Sequence, residues 1–360
     1  MPRPLVATID LSALQSNLAL ARKAKPSSKI WAVVKANAYG HGLESALQGF
    51  ADADGLSLLE WDAAIRLRES GWTKPILMLE GAFDAADLKI ADHHQLQIVV
   101  HHDLQLTMLK DAAPSLSAPL DVHIKINTGM NRLGFTVDQV PSVYAALRAL
   151  PCVGKISFMT HFANAENNQA VLNADNQYQQ FSSAIKGLDG EISVANSAGV
   201  LLHKEMRADW IRPGVMLYGA SPSGEDAAAF GLLPAMTLHS QIMAIQNLQA
   251  GEFVGYGSVF KADKPTRVGI VACGYADGYP RHARAGTPVL VNGHRVPLIG
   301  RVSMDMLTVD ITALPHVQVG APVTLWGEGL PIDEVAAASD TIAYELMCAI
   351  TPRVARAVKK

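Results

Sequence analysis

A lysine that follows an apolar run is the residue of this sequence best suited to chemistry. Lys35 comes directly after the run at residues 30–34, and a polar, glycine-rich turn at residues 36–42 follows it. The run predicts a buried strand. Partial burial at the strand end favours the neutral amine of a lysine, which is a nucleophile and can form an imine with an aldehyde. A lysine whose side chain reaches from the strand end into water fits the position equally well, so both interpretations stay open.

Two histidine pairs also have side chains suited to chemistry, because histidine is a common metal ligand. His93-His94 and His101-His102 flank a predicted strand at residues 96–100. The ligand spacing of a structural zinc site does not accompany them. We therefore predict no metal site.

The elements that must position Lys35 alternate between strand-like and helix-like patterns over the first two-thirds of the chain. Eight short aliphatic or β-branched runs predict strands, at residues 30–35, 55–59, 75–79, 96–100, 120–126, 155–160, 191–195 and 215–218. Helical spacing separates most of them. Eight such units form an α/β fold, a closed parallel (β/α)8 barrel, in which catalytic residues follow the carboxyl ends of strands. A doubly wound open sheet is the alternative, but no GxGxxG motif follows an early strand.

The pattern changes from about Gly231 onwards. Strand-like runs replace helical spacing at residues 236–245, 267–272, 289–291 and 307–311, and a helical tail follows at residues 332–338 and 341–349. The pair Asn292-Gly293 predicts a type I′ hairpin turn. We therefore predict a barrel domain at residues 1–230 and a mostly antiparallel β domain at residues 231–360. The run at residues 5–11 is left over from the eight barrel strands and can join the C-terminal sheet.

Composition excludes several classes of function. The formal net charge of −3 gives no reason to expect a nucleic-acid partner. The apolar runs are shorter than the roughly 18 to 20 residues that span a bilayer, and no signal peptide is recognisable at the start. The three cysteines are isolated, so a reducing compartment is the default. We expect a cytoplasmic protein that binds neither nucleic acid nor membrane.

The stretch VVKANAYGHG around Lys35 resembles the cofactor-binding motif of alanine racemases. The resemblance extends over essentially the whole chain, through the blocks KINTGMNRLGF, THFANAE, ANSAG, DWIRPGVMLYG, VGYG, CGYADGYPR, GRVSMDM and YELMC. Proteins of that family have a (β/α)8 barrel followed by a β domain. The resemblance implies a cytoplasmic, homodimeric, pyridoxal 5′-phosphate-dependent isomerase that interconverts L-alanine and D-alanine, a peptidoglycan precursor.

The resemblance also implies which two residues move protons. Lys35 matches the lysine that holds the cofactor as a Schiff base and then acts as one catalytic base. Tyr256, in VGYG, matches the second base, which the family supplies from the partner subunit on the opposite face of the cofactor. A planar carbanion must be protonated on either face, so two acid–base groups on opposite sides serve better than one. From the residues alone, Tyr256 is more simply a glycine-flanked tyrosine of a β domain.

Further positions match cofactor-binding residues of the family. Arg212, in IRPG, resembles the arginine that faces the pyridine nitrogen, and His161 the histidine that packs against the ring. An arginine keeps its proton in proteins, so the ring nitrogen opposite it stays unprotonated and the ring is a weaker electron sink. The positions matching the phosphate-binding residues are Tyr39, Ser197, Gly214, Val215 and Tyr344.

Substrate binding is implied for Arg132 and for the backbone N–H of Met304. Lys125 matches a lysine that is carbamylated in many members of the family. A carbamate there can orient Arg132 through a charge-assisted hydrogen bond, whereas an unmodified lysine repels it. Several further residues fall in segments that line the family's access channel: Glu166, Tyr275, Arg281, Arg301 and Asp305.

Three other functions use similar folds or cofactor chemistry. Non-catalytic pyridoxal-phosphate carrier proteins have a similar barrel but lack the β domain. Barrel decarboxylases of the ornithine or diaminopimelate type share both features, but the motifs around Lys35 and Arg212 fit racemases better. Broad-spectrum amino-acid racemases are typically exported, and no export signal is recognised.

Overall fold

The computed structural model describes residues 3–224 and 226–360. The chain forms two compact units. One, here called the sheet unit, comprises Met1–Asn17, Tyr39–Ser45 and Tyr218–Lys360. The other, here called the barrel unit, comprises Leu18–Ala38 and Ala46–Leu217. The chain therefore passes between the units several times, including directly before Tyr39.

Eighteen strands lie in the described residues. They are β1 (Val6–Asp10), β2 (Lys29–Val33), β3 (Gly55–Leu58), β4 (Ile76–Met78), β5 (Gln97–Val100), β6 (Leu120–Lys125), β7 (Val153–Met159), β8 (Ile192–Ser193), β9 (Trp210–Ile211), β10 (Met236–Leu248), β11 (Phe253–Val254), β12 (Phe260–Lys261), β13 (Thr266–Val271), β14 (Pro288–Val291), β15 (His294–Ile299), β16 (Leu307–Asp310), β17 (Pro322–Trp326) and β18 (Ala355–Lys359).

Ten α-helices accompany these strands in the described residues. They are α1 (Leu11–Ala24), α2 (Leu43–Gly49), α3 (Trp61–Glu69), α4 (Ala85–His94), α5 (Asp103–Ala112), α6 (Val140–Arg148), α7 (Ala174–Ala184), α8 (Ser197–Leu202), α9 (Ile332–Ala338) and α10 (Ala343–Ala349). Within the described part of the chain, no helix is long and apolar enough to cross a membrane.

Strands β2 to β9 close a parallel barrel, as the sequence predicts. The predicted position of the eighth strand is wrong. Val215–Tyr218 is a 3-10 helix, and the eighth strand, β9, lies earlier, at Trp210–Ile211. Both segments are buried and apolar, so periodicity does not distinguish them. Pro213, which cannot donate to a strand ladder, separates them.

Large side chains fill the barrel interior at the level of β2. Trp31 stacks on Trp210 with ring centroids 4.2 Å apart. Gly55 leaves room for Trp31, because a Cβ atom on this glycine would lie 2.2 Å from the indole ring. Leu77, Val99 and Met159 complete this buried cluster. The packing fixes the strand whose carboxyl end leads to Lys35.

The C-terminal sheet is mostly antiparallel, in agreement with the sequence. Its eight strands follow the order β13-β16-β15-β14-β17-β10-β1-β18. Strand β1 is antiparallel to β10 and parallel to β18, so the first and last strands of the chain lie side by side. The predicted hairpin turn is confirmed. Asn292 and Gly293 both have positive φ, 51° and 79°, between the paired residues Val291 and His294.

Candidate active site

The segment that begins at Lys35 is a left-handed turn. Its residues have φ and ψ near +53° and +50° at Ala36, +52° and +47° at Asn37, and +55° and +53° at Ala38, and φ is +50° at Tyr39. This conformation costs an L-residue about 1–2 kcal/mol, because Cβ crowds the following carbonyl oxygen. The backbone N–H of Ala36 donates to Glu60 Oε1 at 2.8 Å, and that of Ala38 to the carbonyl of Val34 at 2.9 Å. These bonds hold a strained turn directly after β2.

Arg212 is a buried cation at the carboxyl end of β9. Its Nη1 donates to the carbonyl oxygen and to Oγ of Ser193, at 2.5 and 2.7 Å, and its Nη2 donates to the carbonyl of Thr160 at 2.5 Å. The acceptors are neutral, so none of them offsets the positive charge of Arg212. The three bonds fix the orientation of the guanidinium plane. Burial lowers the pKa of Arg212 only to about 10, so the guanidinium is protonated at neutral pH.

His161 follows the carboxyl end of β7, at the barrel end where Lys125 ends β6 and Arg212 follows β9. Burial lowers the pKa of this histidine well below its usual value, and four cations lower it further: Arg212, Arg132, Lys125 and Lys35. The imidazole is therefore neutral. The structure thus brings together five of the residues that the resemblance marks, and the charge of this cluster suits an anionic ligand.

Lys125 is the last residue of β6 and belongs to the same cluster. Burial is the main cause that lowers its pKa, and Arg212 and Arg132 add to the effect, bringing it to about 8 despite the opposing charge of Glu80. The same side chain lines a small cleft with Arg132 and His161. A substantial fraction of Lys125 is thus a neutral amine slightly above neutral pH.

Ser197 and the segment after Arg212 form a second part of the barrel site. The Ser197 hydroxyl accepts hydrogen bonds from the backbone N–H groups of Gly214, at 3.0 Å, and Met216, at 3.3 Å. Val215 lies between these two and is fully buried. Three of the predicted phosphate-binding positions are therefore adjacent, with the N–H of Gly214 directed at a hydroxyl oxygen.

Tyr39 and Tyr344, the other two predicted phosphate-binding residues, are close together in the sheet unit. Their ring centroids are 6.0 Å apart, and the Tyr39 ring also stacks on Tyr218 at 4.7 Å. His41 packs against Tyr218 with ring centroids 4.6 Å apart. Burial, with Tyr344 and Cys348 nearby, raises the pKa of Tyr39, so its hydroxyl keeps its proton and can donate a hydrogen bond.

Tyr256 and Met304 lie on an exposed surface of the sheet unit. The Tyr256 residue is 72% exposed and Met304 is 52% exposed. A Cβ on Gly257 would lie 3.2 Å from Arg301, so the loops that carry the two residues are adjacent. Three further exposed apolar residues lie in these loops or in the adjoining strand β11: Phe253, Val259 and Met306.

Three residues that support the site are not among those predicted from the sequence. Ser193 and Thr160 fix the Arg212 side chain, and Glu60 binds the turn after Lys35. Glu60 closely follows β3, and a carboxylate at a barrel strand end is a signal that could have found it. Ser193 and Thr160 act mostly through their backbone carbonyls. Every residue has a backbone carbonyl, so the residue type does not indicate this role.

The histidine pairs flank β5, and His101 directly follows the carboxyl end of that strand. Burial, and then the charge of Lys125, lower the pKa of His101, so this histidine lies near the cluster. His93 and His94 end α4, and His102 caps the start of α5 by accepting from the N–H of Leu104. Among the described residues, no group of three His, Cys, Asp or Glu side chains could hold a metal ion.

The fold and the strand-end residues define a barrel enzyme with its site at the carboxyl ends of the strands. Sequence models described as "Alanine racemase, N-terminal domain" and "Alanine racemase, C-terminal domain" match residues 9–222 and 235–358. The chain therefore belongs to the alanine racemase family.

Individual relatives agree over nearly the full length. A protein from Janthinobacterium sp. (strain Marseille), named alanine racemase, is 58% identical over 355 residues, which are 98% of each chain. One from Klebsiella aerogenes, named "Alanine racemase, catabolic", is 52% identical over 98% of this chain and 99% of its own. The crystal structure of biosynthetic alanine racemase from Pseudomonas aeruginosa is similar with a TM-score of 0.96 at 44% identity, over 99% of this chain and 100% of that one.

The left-handed turn predicts an unusual effect of glycine. Ala36 is exposed, so Ala36→Gly removes the Cβ strain without creating a cavity, and we expect the free energy of unfolding to rise by about 0.5–1 kcal/mol. Ala146→Gly, on the exposed face of α6, is the matched control and should lower it by a similar amount. Urea unfolding midpoints measure both changes. An Ala36→Gly protein less stable than wild type would show that the turn is unstrained.

Proposed function

We propose that this protein interconverts L-alanine and D-alanine with pyridoxal 5′-phosphate as its cofactor. The observation that carries the proposal is a lysine that follows the first barrel strand, at the same barrel end where Lys125 ends β6 and Arg212 follows β9. The nearly full-length similarity to proteins named alanine racemase supports the same reaction.

The residues present fit this cofactor. The cationic cluster at the strand ends suits a phosphate ester, and Lys35 supplies the amine that an aldehyde requires. We assign Arg212 and His161 to the cofactor ring, and Tyr39, Ser197, Gly214, Val215 and Tyr344 to its phosphate. When bound, pyridoxal phosphate supplies an aldehyde carbon and a conjugated ring that withdraws electrons from the substrate.

Arg212 limits the electron withdrawal that the site supports. Its pKa of about 10 and its bonds to neutral acceptors keep it a hydrogen-bond donor that releases no proton at neutral pH. A nitrogen that faces this guanidinium is thus left unprotonated. We infer that Arg212 keeps the negative charge at the substrate carbon short-lived, which favours simple reprotonation over side reactions.

Two groups exchange the proton in this proposal. The Nζ atom of Lys35 removes or returns a proton on one face of the substrate carbon, and the Oη atom of Tyr256 does so on the other. Two acid–base groups on opposite faces suit racemisation, since a group fixed on one face returns the proton to the face it came from. Arg132 and the backbone N–H of Met304 bind the substrate carboxylate and fix the orientation of the carbon.

Lys125 is proposed to carry a carbamate. Its pKa of about 8 leaves enough neutral amine for attack on carbon dioxide, which forms an N–C bond and releases one proton. The product is an anion next to Arg132, so repulsion between two cations becomes an ionic hydrogen bond. Arg132 is then held in place for the substrate carboxylate.

We also propose a homodimer in which Tyr256 and Met304 complete the site of the partner subunit. The exposed apolar residues around Tyr256 support this arrangement, because exposed apolar patches mark interaction surfaces. The two bases of one site then belong to different chains.

The first test is the reaction itself. Lys35→Ala should reduce racemisation of L-alanine by more than about 100-fold and remove the absorbance of the bound cofactor. Lys29→Ala, at the opposite end of β2, removes an exposed lysine paired with Glu191 and should leave both unchanged. Loss of optical rotation and carbon dioxide release are followed together. Carbon dioxide release by the wild type would identify a decarboxylase instead.

A second test concerns the two chains. Lys35→Ala and Tyr256→Ala proteins should each be inactive, but after subunit exchange roughly a quarter of the wild-type activity should return. Half of the randomly formed dimers are mixed, and one of the two symmetric sites in each has both bases. If both bases came from one chain, every site in a mixed dimer would lack one of them, and the mixture would stay inactive.

A third test is the native mass of the folded protein. Equilibrated with bicarbonate, each chain should carry the added mass of one carbon dioxide, and Lys125→Arg, which lacks a neutral amine, should not. Lys155→Arg, at an exposed position of β7, is the control that should retain the adduct. An unmodified wild-type mass in bicarbonate would refute the carbamate.

A further inference from the structure

Arg356, in the last strand of the chain, reaches back to the turn that carries Tyr39. Its Nε atom donates to the carbonyl oxygen of Gly40 at 3.0 Å, and its Nη2 atom donates to the carbonyl of Ile350 at 3.3 Å. Strand pairing holds the backbone of Arg356 in place, since this residue lies opposite Ala7 in the parallel β1–β18 ladder. One guanidinium thus joins two separate segments of the sheet unit.

Each of the two carbonyls belongs to a segment that carries a tyrosine of the proposed phosphate site. Gly40 follows Tyr39, and Ile350 is the C-terminal cap of α10, the helix that carries Tyr344. The distance between the two tyrosine rings depends on how the turn lies against this helix. Arg356 bonds to both segments and therefore links the position of the turn to the position of the helix.

The turn and the helix are already in close contact at Gly40. This residue has φ of +77°, and a Cβ atom on it would lie 2.0 Å from the carbonyl oxygen of Met347 in α10. Glycine allows the approach but contributes no side chain to hold it. His41 Nδ1 lies 2.9 Å from the Tyr39 carbonyl oxygen, a bond local to the turn. The Arg356 bonds are thus side-chain bonds that tie the turn to the end of the helix.

We propose that Arg356 is a positioning residue for the cofactor phosphate, which sets the relative placement of Tyr39 and Tyr344. The inference rests on the proposed function, because it assigns these tyrosines to the phosphate. A planar guanidinium can donate to two carbonyls in fixed directions, whereas a lysine ammonium is a single point of donation. A lysine at this position is therefore expected to replace only part of the contribution of the arginine.

The experiment compares two aldehydes that differ in the phosphate. The full-length apoprotein is titrated with pyridoxal phosphate and with pyridoxal, and the absorbance gives each dissociation constant. Arg356→Gln should raise the constant for pyridoxal phosphate by about 10-fold or more, since each hydrogen bond to a charged donor contributes more than a neutral one. The constant for pyridoxal should change little, and Arg356→Lys should restore part of the loss.

Arg295→Gln is the matched control, because it removes an exposed sheet-unit arginine paired with Glu334 and should change neither constant. Amide hydrogen exchange in Tyr39–Ser45 should be faster in Arg356→Gln than in the control. Two results overturn the inference, provided that the wild type binds pyridoxal phosphate. In one, Arg356→Gln raises the dissociation constants for both aldehydes by the same factor. In the other, the dissociation constant for pyridoxal phosphate is unchanged in both Arg356 variants. A wild type that binds neither aldehyde overturns the proposed function as well.

Discussion

The concentration of positive charge at one end of the barrel is the constraint on which the rest of the site depends. Arg212 cannot lose its proton near neutral pH, and its guanidinium is held by neutral carbonyl and hydroxyl oxygens. Lys35, Lys125 and Arg132 add charge around the same histidine. Like charges in a partly desolvated site repel, so anions that enter it are stabilised. The phosphate, the substrate carboxylate and the carbamate of the proposed function are all anions.

Strain in the backbone accompanies this charge. The left-handed turn after β2 changes the direction of the chain within a few residues, between Lys35 of the barrel unit and Tyr39 of the sheet unit. Residues in such a conformation persist only where surrounding contacts over-determine it, and they are concentrated at functional sites. Here the contacts include the hydrogen bonds from Ala36 to Glu60 and from Ala38 to Val34. The backbone strain thus lies directly after Lys35, where it affects the direction of the lysine side chain.

The sequence predicts most of this arrangement because its signals are local. Alternating strand and helix periods predict the barrel, and the motif around Lys35 marks the strand end that carries the amine. The eighth strand was misplaced because a buried 3-10 helix and a buried strand have the same apolar pattern. Arg356 was missed for a different reason. Its partner Gly40 is 316 positions away and offers only a carbonyl, so no residue pattern connects them.

Lys125 shows how charge at the site and stability of the fold are linked. Its ordinary pKa of 10.5 falls to about 8 in the folded protein, so between these values the unfolded chain binds more protons at this group. Stability therefore rises with pH across that window, and below about pH 8 the folded protein bears the full cost of a buried, repelled ammonium. A carbamate replaces that cation with an anion beside Arg132 and removes the cost at neutral pH. Modification of Lys125 would thus stabilise the fold with the same interaction that orients Arg132 for the substrate.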